Sequence, residues 1–214
     1  STSRIDDDGR DVKFNPDGTK MFVLGRHNND RVYELALSTA FDVSTASSVR
    51  ELDVSDEETS SNGLAFNLDG TKMFVTGNSG DDVNEYALST GFDLSTAVYA
   101  GDDEKFSVSG QESSPIDLDF NSDGTRMFVL GQDDTDDEGG DKVYEYTLST
   151  GFDFTSTVAY VGGYDVQSQE ATPQGLAFNH DGTKMFVTGE TGDDVNEYSL
   201  TSPFNLIDVT GAHD

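Results

Sequence analysis

A dense group of acidic residues occupies one short stretch of the chain. Its six carboxylates belong to Asp133, Asp134, Asp136, Asp137, Glu138 and Asp141. Carboxylates this close repel one another unless a cation or salt screens them, and Ca²⁺ binds mainly to such oxygens. Two interpretations follow, a hydrated and mobile acidic loop or a calcium site. The loop is the simpler one, and calcium is the single cofactor that the sequence suggests.

A second pattern resembles the beginning of a calcium-binding loop. The order Asp119-x-Asn121-x-Asp123-Gly124 has the required oxygen ligands, but an apolar strand at residues 127–130 stands where a glutamate ligand should follow. Asp and Gly at these places also suit a tight turn, because Asp binds the local main chain and Gly tolerates positive φ. We therefore interpret the pattern as a turn.

This turn occurs four times along the chain. The glycine of each Asp-Gly-Thr sequence is Gly18, Gly70, Gly124 or Gly182, at intervals of 52, 54 and 58 residues. A period near 50 with strand patterns inside it is typical of a propeller or a solenoid.

The first repeat indicates four short strands, at residues 11–15, 19–25, 31–37 and 49–54, rich in β-branched and aromatic residues. Residues 21–24 are all apolar, which indicates that both faces of the second strand are buried. A four-stranded sheet covered on both faces is a propeller blade. We predict an all-β fold, a four-bladed β-propeller with antiparallel four-stranded blades. The alternative is a segment of a larger propeller or repeat array.

We expect one domain over residues 1–214. Its repeats are predicted at residues 11–62, 63–115, 116–174 and 175–214. Few residues follow the third strand of the last repeat, so residues 1–10 are expected to complete the last blade, unless the chain end pairs with a neighbouring molecule. The first and third repeats share the sequence VYE, whereas the second and fourth share GDDVNEY, which indicates that a pair of blades was duplicated.

The hairpin FNPDGTKMFV, followed by a loop rich in Asn and Asp and then by VYELALST, resembles the propeller repeats of the YVTN type in bacteria and archaea. The sequence LSTAFDVSTA is similar to repeat arrays in surface or virion-associated proteins of marine and halophilic microbes and their viruses. The resemblance covers nearly the whole chain. It implies the propeller fold and leaves the function open, because such propellers serve as enzymes, lectins and scaffolds.

In a ring of four blades, Lys13 of the first repeat is expected to face Asp119 of the third across the central channel, which Asp11 and Asp117 also reach. The resemblance implies a second interpretation, since hydrolytic propellers hold a divalent cation with carboxylates there. The second and fourth repeats offer only Gly and Ala at the matching positions. An ion pair between Lys13 and Asp119 is the plainer interpretation.

Catalytic signals are sparse. His27, His180 and His213 lie in a loop, a turn and the tail, with no nucleophile or carboxylate partner evident from spacing. There is no G-x-S-x-G sequence and no phosphate-binding glycine loop. We expect no catalytic residues and predict that the protein is not an enzyme.

Charge is the most extreme property of the composition. The chain has 42 acidic and 12 basic residues, a net charge of −30, and no cysteine. Such a surface repels nucleic acid and anionic membranes, and no apolar run is long enough to insert into a bilayer. The even spread of acids along the chain favours a halophilic surface that salt screens.

The loop between the second and third strands varies most among the repeats, and we expect the binding surface there. We predict a non-enzymatic recognition or structural display module on a cell or virion surface, outside the cell. Its partners would be a surface glycan or protein, or further copies in a larger assembly. The alternative function is a metal-dependent hydrolase of the lactonase type.

Overall fold

The structure, a computed structural model, describes residues 6–26, 30–132, 141–192 and 194–213. Within them the chain forms 17 strands and four short 3₁₀ helices. Successive strands pair in four antiparallel sheets, one for each repeat. The fold is the predicted four-bladed β-propeller, and we call the sheets blades 1 to 4.

The bounds of the elements are as follows. Blade 1 contains β1 (Gly9–Phe14), β2 (Lys20–Gly25), β3 (Arg31–Leu37) and β4 (Ala46–Asp53). Blade 2 contains β5 (Ser61–Phe66), β6 (Lys72–Gly77), β7 (Asp82–Leu88) and β8 (Ala97–Tyr99), and β9 (Lys105–Ser107) also pairs with β7. Blade 3 contains β10 (Pro115–Phe120), β11 (Arg126–Gly131), β12 (Lys142–Leu148) and β13 (Val158–Asp165). Blade 4 contains β14 (Pro173–Phe178), β15 (Lys184–Gly189), β16 (Val195–Leu200) and β17 (Val209–His213). The 3₁₀ helices are Val43–Thr45, Leu94–Thr96, Asp102–Glu104 and Leu206–Asp208.

The last blade differs from the sequence-based expectation. Its outer strand is β17, at the end of the chain, so the few residues after β16 suffice for a short strand. Residues 9 and 10, which were expected to complete this blade, belong to β1. Residues 1–5 lie outside the described part of the chain.

Each Asp-Gly-Thr turn is closed by its own side chains. In blade 1, Asn15 accepts a hydrogen bond from the Lys20 nitrogen at 2.9 Å, and Asp17 accepts one from the Thr19 nitrogen at 2.9 Å. Gly18 has a φ of 69°, a conformation that glycine adopts at little cost. The turn therefore has the chemistry that its sequence indicates.

A phenylalanine ring covers each turn glycine, which the sequence did not indicate. Phe92 itself adopts a φ of 57°, and a methyl group on Gly70 would lie 2.3 Å from its ring. The other three pairs are Phe41 with Gly18, Phe152 with Gly124 and Phe204 with Gly182. Glycine is therefore required at these positions for two reasons: φ is positive, and a phenylalanine ring lies where a side chain would be.

The second strand is buried on both faces in blades 2 and 3. In blade 1, for which this was predicted, Met21 and Val23 on one face stay partly exposed, and in blade 4 Thr188 is exposed. In blade 1, Phe22 and Leu24 are fully buried, and the Phe22 ring lies 4.7 Å from that of Phe66 in blade 2. The corresponding rings of Phe128 and Phe178 lie 4.4 Å apart. Blades 1 and 2 therefore share one apolar layer, and blades 3 and 4 share another.

The chain divides into two compact units, Ser1–Phe106 and Ser107–Asp214. Blades 1 and 2 form the first unit, and blades 3 and 4 form the second. This division has the same period as the alternation of repeats in the sequence. No helix in the described ranges is long and apolar enough to cross a membrane.

Candidate functional site

The dense acidic group falls mostly outside the described residues. Those outside are Asp133, Asp134, Asp136, Asp137 and Glu138. Asp141 is described and buried, and its main-chain oxygen accepts a hydrogen bond from Val166 at 2.9 Å. In the part of the chain that the structure describes, no three acidic or histidine side chains are grouped to hold a metal ion. Calcium binding at residues 133–141 stays a prediction.

The carboxylates predicted to reach the channel connect the innermost strands of successive blades. Asp11 accepts a hydrogen bond from the Leu64 nitrogen at 2.9 Å, and Asp117 accepts one from the Leu176 nitrogen at 2.8 Å. Innermost strands of neighbouring blades are not paired in one sheet, so these carboxylates supply an acceptor for their main-chain N–H groups. Asp11 also lies 3.0 Å from the Lys13 ammonium group.

Asp119 has a similar role within the second unit. One of its oxygens accepts from the Phe178 nitrogen at 3.2 Å and the other from the Phe120 nitrogen at 2.8 Å. Both oxygens of Asp117 likewise accept main-chain hydrogen bonds. Among the described residues these carboxylates are not joined by enough further acidic or histidine side chains to form a metal site. The ion pair predicted between Lys13 and Asp119 would join the two units and stays a prediction.

A second contact between successive blades was not predicted. Lys20 and Glu34 form an ion pair at 2.7 Å in blade 1. Lys20 donates to the Phe92 carbonyl oxygen at 2.5 Å, and Glu34 accepts from the Leu94 nitrogen at 3.0 Å. The pair thus binds both sides of the turn that begins the 3₁₀ helix of blade 2.

The same contact recurs between blades 3 and 4. Arg126 and Glu145 form the ion pair, Arg126 donates to the Phe204 carbonyl oxygen at 3.0 Å, and Glu145 accepts from the Leu206 nitrogen at 2.9 Å. Burial raises the pKa of Glu145, and the Leu206 hydrogen bond and the Arg126 charge offset this only in part. The sequence signal was present, since each repeat has a Lys or Arg after its Asp-Gly-Thr turn and a Glu in its third strand.

A further carboxylate, that of Glu58, fixes the segment that connects β4 of blade 1 to β5 of blade 2. Glu58 is fully buried and accepts hydrogen bonds from the nitrogens of Ser60 at 2.7 Å and Ser79 at 3.0 Å. It lies against Gly77, where a methyl group would come within 2.3 Å of the Ser60 carbonyl oxygen. This carboxylate therefore ties the connection to the loop that follows β6.

Glu170 repeats this arrangement in blade 4. It is fully buried and accepts from the nitrogens of Thr172 at 2.8 Å and Thr191 at 3.0 Å. Burial acts to raise its pKa, but the main-chain donors outweigh burial, and the pKa of Glu170 is lowered. The carboxylate is therefore an anion held by N–H groups, and it ties the segment between β13 and β14 to the loop that follows β15.

The position after the closing glycine of the second strand differs in every blade. It holds Arg26, Asn78, Gln132 and Glu190. In all four the main-chain nitrogen donates to a carbonyl oxygen of the connection leading into the same blade, at 3.0 to 3.2 Å. A constant backbone thus presents a variable side chain, which is typical of a recognition position. It lies at the start of the loop predicted to bind a ligand.

Arg26 has an unusual setting among these four residues. Its guanidinium donates to the Ser60 hydroxyl oxygen at 2.5 Å and to the Asn62 side-chain oxygen at 3.2 Å. Asn62 in turn donates to the side-chain oxygen of Asn78 at 2.6 Å. No carboxylate in the described ranges pairs with Arg26. We call Arg26, Ser60, Asn62 and Asn78 the Arg26 cluster, a group that can donate hydrogen bonds to an anionic or carbonyl oxygen.

Comparison with known proteins identifies no relative by sequence. No family model matches the chain, and no curated protein matches it. The general expectation of a propeller repeat is confirmed by the structure, whereas membership of the YVTN type is not established.

Solved structures share the fold. A protein of Bacteroides fragilis provisionally assigned as a 6-phosphogluconolactonase superposes with a TM-score of 0.58 at 12% identity, over 94% of this chain and 52% of its own. A similarly assigned protein of Bacteroides uniformis gives 0.61 at 12% identity, over 94% and 52%. Sqt1 of Chaetomium thermophilum gives 0.56 at 13% identity, over 98% and 48%. This chain therefore spans about half the length of the structures it matches.

These neighbours correct the predicted function. The prediction of a surface or virion display module is wrong, because the neighbours are propellers of the lactonase kind and Sqt1. The prediction depended on the variable loops and on the resemblance of LSTAFDVSTA to surface repeat arrays, and neither constrains the chemistry that a propeller performs. At these identities the comparison establishes a shared propeller fold.

Proposed function

We propose that this chain is a hydrolase module of the lactonase type, and that a sugar lactone or its phosphate ester binds at the Arg26 cluster. The observation that carries the proposal is the guanidinium of Arg26, which is bonded to neutral oxygens in a chain with a net charge of −30. A guanidinium that is bonded to neutral oxygens keeps its charge available to a substrate oxygen. The neighbours provisionally assigned as 6-phosphogluconolactonases support the reaction class.

The chemistry of the reaction matches the donors of this cluster. Water adds to the lactone carbonyl carbon, the carbonyl oxygen becomes negative, and the ring C–O bond then breaks to give an acid and a hydroxyl group. A guanidinium has five N–H donors, and Arg26 directs two hydrogen bonds to Ser60 and Asn62. Another N–H can bind the carbonyl oxygen as its charge develops.

The other members of the cluster suit the rest of the substrate. Asn78 is exposed, and its amide can both donate to and accept from sugar hydroxyls. Asn62 is buried and connects Asn78 to Arg26, which holds the two groups in a fixed relation. Asp117 and Asp119 hold main-chain nitrogens of their own and the next blade, which is a structural role separate from the Arg26 cluster.

The test is a titration of the acid released from 6-phosphogluconolactone and from gluconolactone at constant pH. The protein should release acid faster than the uncatalysed reaction, and Arg26→Gln should lower kcat/KM by about 100-fold, as expected for loss of a donor to the developing oxyanion. Arg31→Gln is the matched control, because Arg31 pairs with Glu51 and Asp53 on the surface. A rate equal to the uncatalysed one for both lactones, or equal loss in the two variants, would refute the proposal.

A further inference from the structure

Two segments of blade 2 carry the neutral members of the Arg26 cluster. Ser60 precedes β5, Asn62 lies in β5, and Asn78 follows β6. The Asn78 nitrogen donates to the Ser60 carbonyl oxygen at 3.2 Å, and the Asn62 side chain donates to that of Asn78 at 2.6 Å. The cluster is therefore fixed within the first unit, by main-chain as well as side-chain bonds.

A pair of hydroxyl groups extends the cluster along both segments. Thr59 and Ser79, the residues next to Ser60 and Asn78 in sequence, have their hydroxyl oxygens 2.6 Å apart. Both residues are exposed. One hydroxyl donates to the other, so the pair can give its second hydrogen to a ligand and can accept through its oxygens. Such a pair, beside the Asn78 amide, suits the hydroxyl groups of a sugar.

This hydroxyl pair occurs together with Arg26. In the second unit, Ala171 occupies the position of Thr59, two residues before the first strand of its blade, and Gln132 occupies the position of Arg26. The first unit thus has the extra hydroxyl group and the guanidinium, and the second unit replaces both. Their joint occurrence links the pair to the Arg26 cluster.

The main-chain donors at this place are bound to an internal carboxylate. Glu58 is fully buried and accepts from the nitrogens of Ser60 at 2.7 Å and Ser79 at 3.0 Å. Converging main-chain N–H groups are a common binding site for phosphate. Glu58 takes the anion position that the backbone provides here, so a phosphate group would meet the Arg26 guanidinium beside a resident carboxylate.

The charge near the cluster also disfavours a phosphate group. The loop after Asn78 continues into Asp81 and Asp82, and burial, followed by the charge of Asp82, raises the pKa of Asp81. The chain as a whole carries a net charge of −30. A phosphate monoester adds roughly two negative charges at pH 7, whereas a sugar lactone is neutral until its carbonyl oxygen becomes negative in the reaction.

We infer that the Arg26 cluster takes an uncharged sugar lactone in preference to its phosphate ester, and that Thr59 and Ser79 bind the hydroxyl groups of the sugar. The inference rests on the proposed function and narrows its substrate class. Arg26 binds the lactone carbonyl oxygen, and the neutral groups beside it select the substrate by its hydroxyl groups. This differs from the substrate named for the provisionally assigned neighbours, which share the fold at 12% identity.

The first test compares two lactones on the unchanged protein. Acid release from gluconolactone and from 6-phosphogluconolactone is measured at constant pH in about 0.15 M salt, where the screening length is about 8 Å, and each uncatalysed rate is subtracted. We expect kcat/KM to be at least about 10-fold higher for gluconolactone, and this ratio to fall at about 1 M salt, because screening then acts over about 3 Å. A ratio is used because any loss of folded protein in low salt affects both substrates equally.

The outcomes separate the inference from the proposed function. An equal or higher kcat/KM for 6-phosphogluconolactone in low salt would overturn the inference and leave the lactonase proposal standing. Hydrolysis of neither lactone above the uncatalysed rate would overturn both.

The second test separates the hydroxyl pair from Arg26. δ-Valerolactone has the six-membered ring of gluconolactone without its hydroxyl groups. Ser79→Ala should lower the ratio of kcat/KM for gluconolactone to that for δ-valerolactone by about 5-fold, as expected for one neutral hydrogen bond. Arg26→Gln should lower kcat/KM for both lactones and keep their ratio. Ser109→Ala is the matched control, because Ser109 forms another exposed hydroxyl pair, with Ser107 at 2.9 Å. An unchanged ratio in Ser79→Ala, or an equal change in Ser109→Ala, would overturn the role of the hydroxyl pair.

Discussion

The carboxylate of Glu34 accepts a hydrogen bond from the main-chain nitrogen of Leu94, 60 residues further along the chain, at 3.0 Å. The same carboxylate pairs with Lys20, which donates to the Phe92 carbonyl oxygen. One ion pair thus satisfies two main-chain groups of the next blade. The arrangement recurs with Glu145 in the second unit, so the contact between successive blades has a polar as well as an apolar part.

Removing the charge of Glu34 should therefore destabilise the protein. Glu34→Gln should lower the free energy of unfolding by about 2–4 kcal/mol, because it leaves Lys20 without its buried partner. Glu51→Gln, which removes a surface partner of Arg31, should cost less than about 1 kcal/mol. Urea unfolding at constant salt measures both values, and equal losses would show that the buried position adds nothing.

The turn glycines should not tolerate a methyl group. Gly70→Ala forces a φ of 70° on alanine and brings the new methyl to 2.3 Å from the Phe92 ring, so we expect a loss of more than about 2 kcal/mol. Gly110→Ala is the control, because nothing lies within 4 Å of a methyl group there. Thermal melts should show a large decrease for the first variant and a change of less than about 1 kcal/mol for the second. Similar melting temperatures would mean that the ring can move aside.

The turn aspartates predict a dependence on pH. Hydrogen bonds from the side chain and then the main chain of Thr71 lower the pKa of Asp69 in the folded state. A lowered pKa adds stability that is present above the unfolded value of about 3.9 and is lost as the pH falls through the folded value. Asp69→Asn keeps the acceptor oxygen and removes the charge. The variant should have a lower free energy of unfolding than the unchanged protein at about pH 6, and the difference should disappear in acid. A difference that stays constant with pH would contradict this origin.

Salt should stabilise the fold. With a net charge of −30, self-repulsion acts against the compact state, and screening by salt reduces it. We expect the melting temperature to rise between about 0.05 M and 2 M sodium chloride. Glucose at matched osmolality provides a control for solvent exclusion. Equal melting temperatures at both salt concentrations would contradict the halophilic interpretation.

The sequence predicts the blades well because their signals are local. Residues 21–24 are consecutively apolar and lie beside an Asp-Gly-Thr turn, which is enough to place β2 and the buried face of Phe22 and Leu24. The outer strand β17 was missed because five residues with one valine carry little strand pattern. The bonds of Asp11 and Glu34 were also missed, because each accepts from a main-chain nitrogen whose own side chain gives no indication of it.

The candidate site was predicted only in its location. The variable loop after the second strand indicated where a ligand would bind, but the acidic residues drew attention to residues 133–141. Arg26 carries no motif, and its importance depends on the neutral oxygens of Ser60 and Asn62 that its guanidinium binds, which only the folded arrangement reveals. The repeated residues indicate the fold, whereas the proposed site lies at a position whose residue differs in every blade.

The alternation between Asp11 and Gly63 constrains how such a chain can change in length. The aspartate that binds the next blade occurs in blades 1 and 3, whereas Gly63 and Gly175 occupy the matching register positions in blades 2 and 4. Deleting or duplicating one internal repeat would place two aspartates or two glycines in succession. Recombination that preserves the pattern must therefore exchange an even number of repeats. The unit of duplication in this protein is thus a pair of successive repeats.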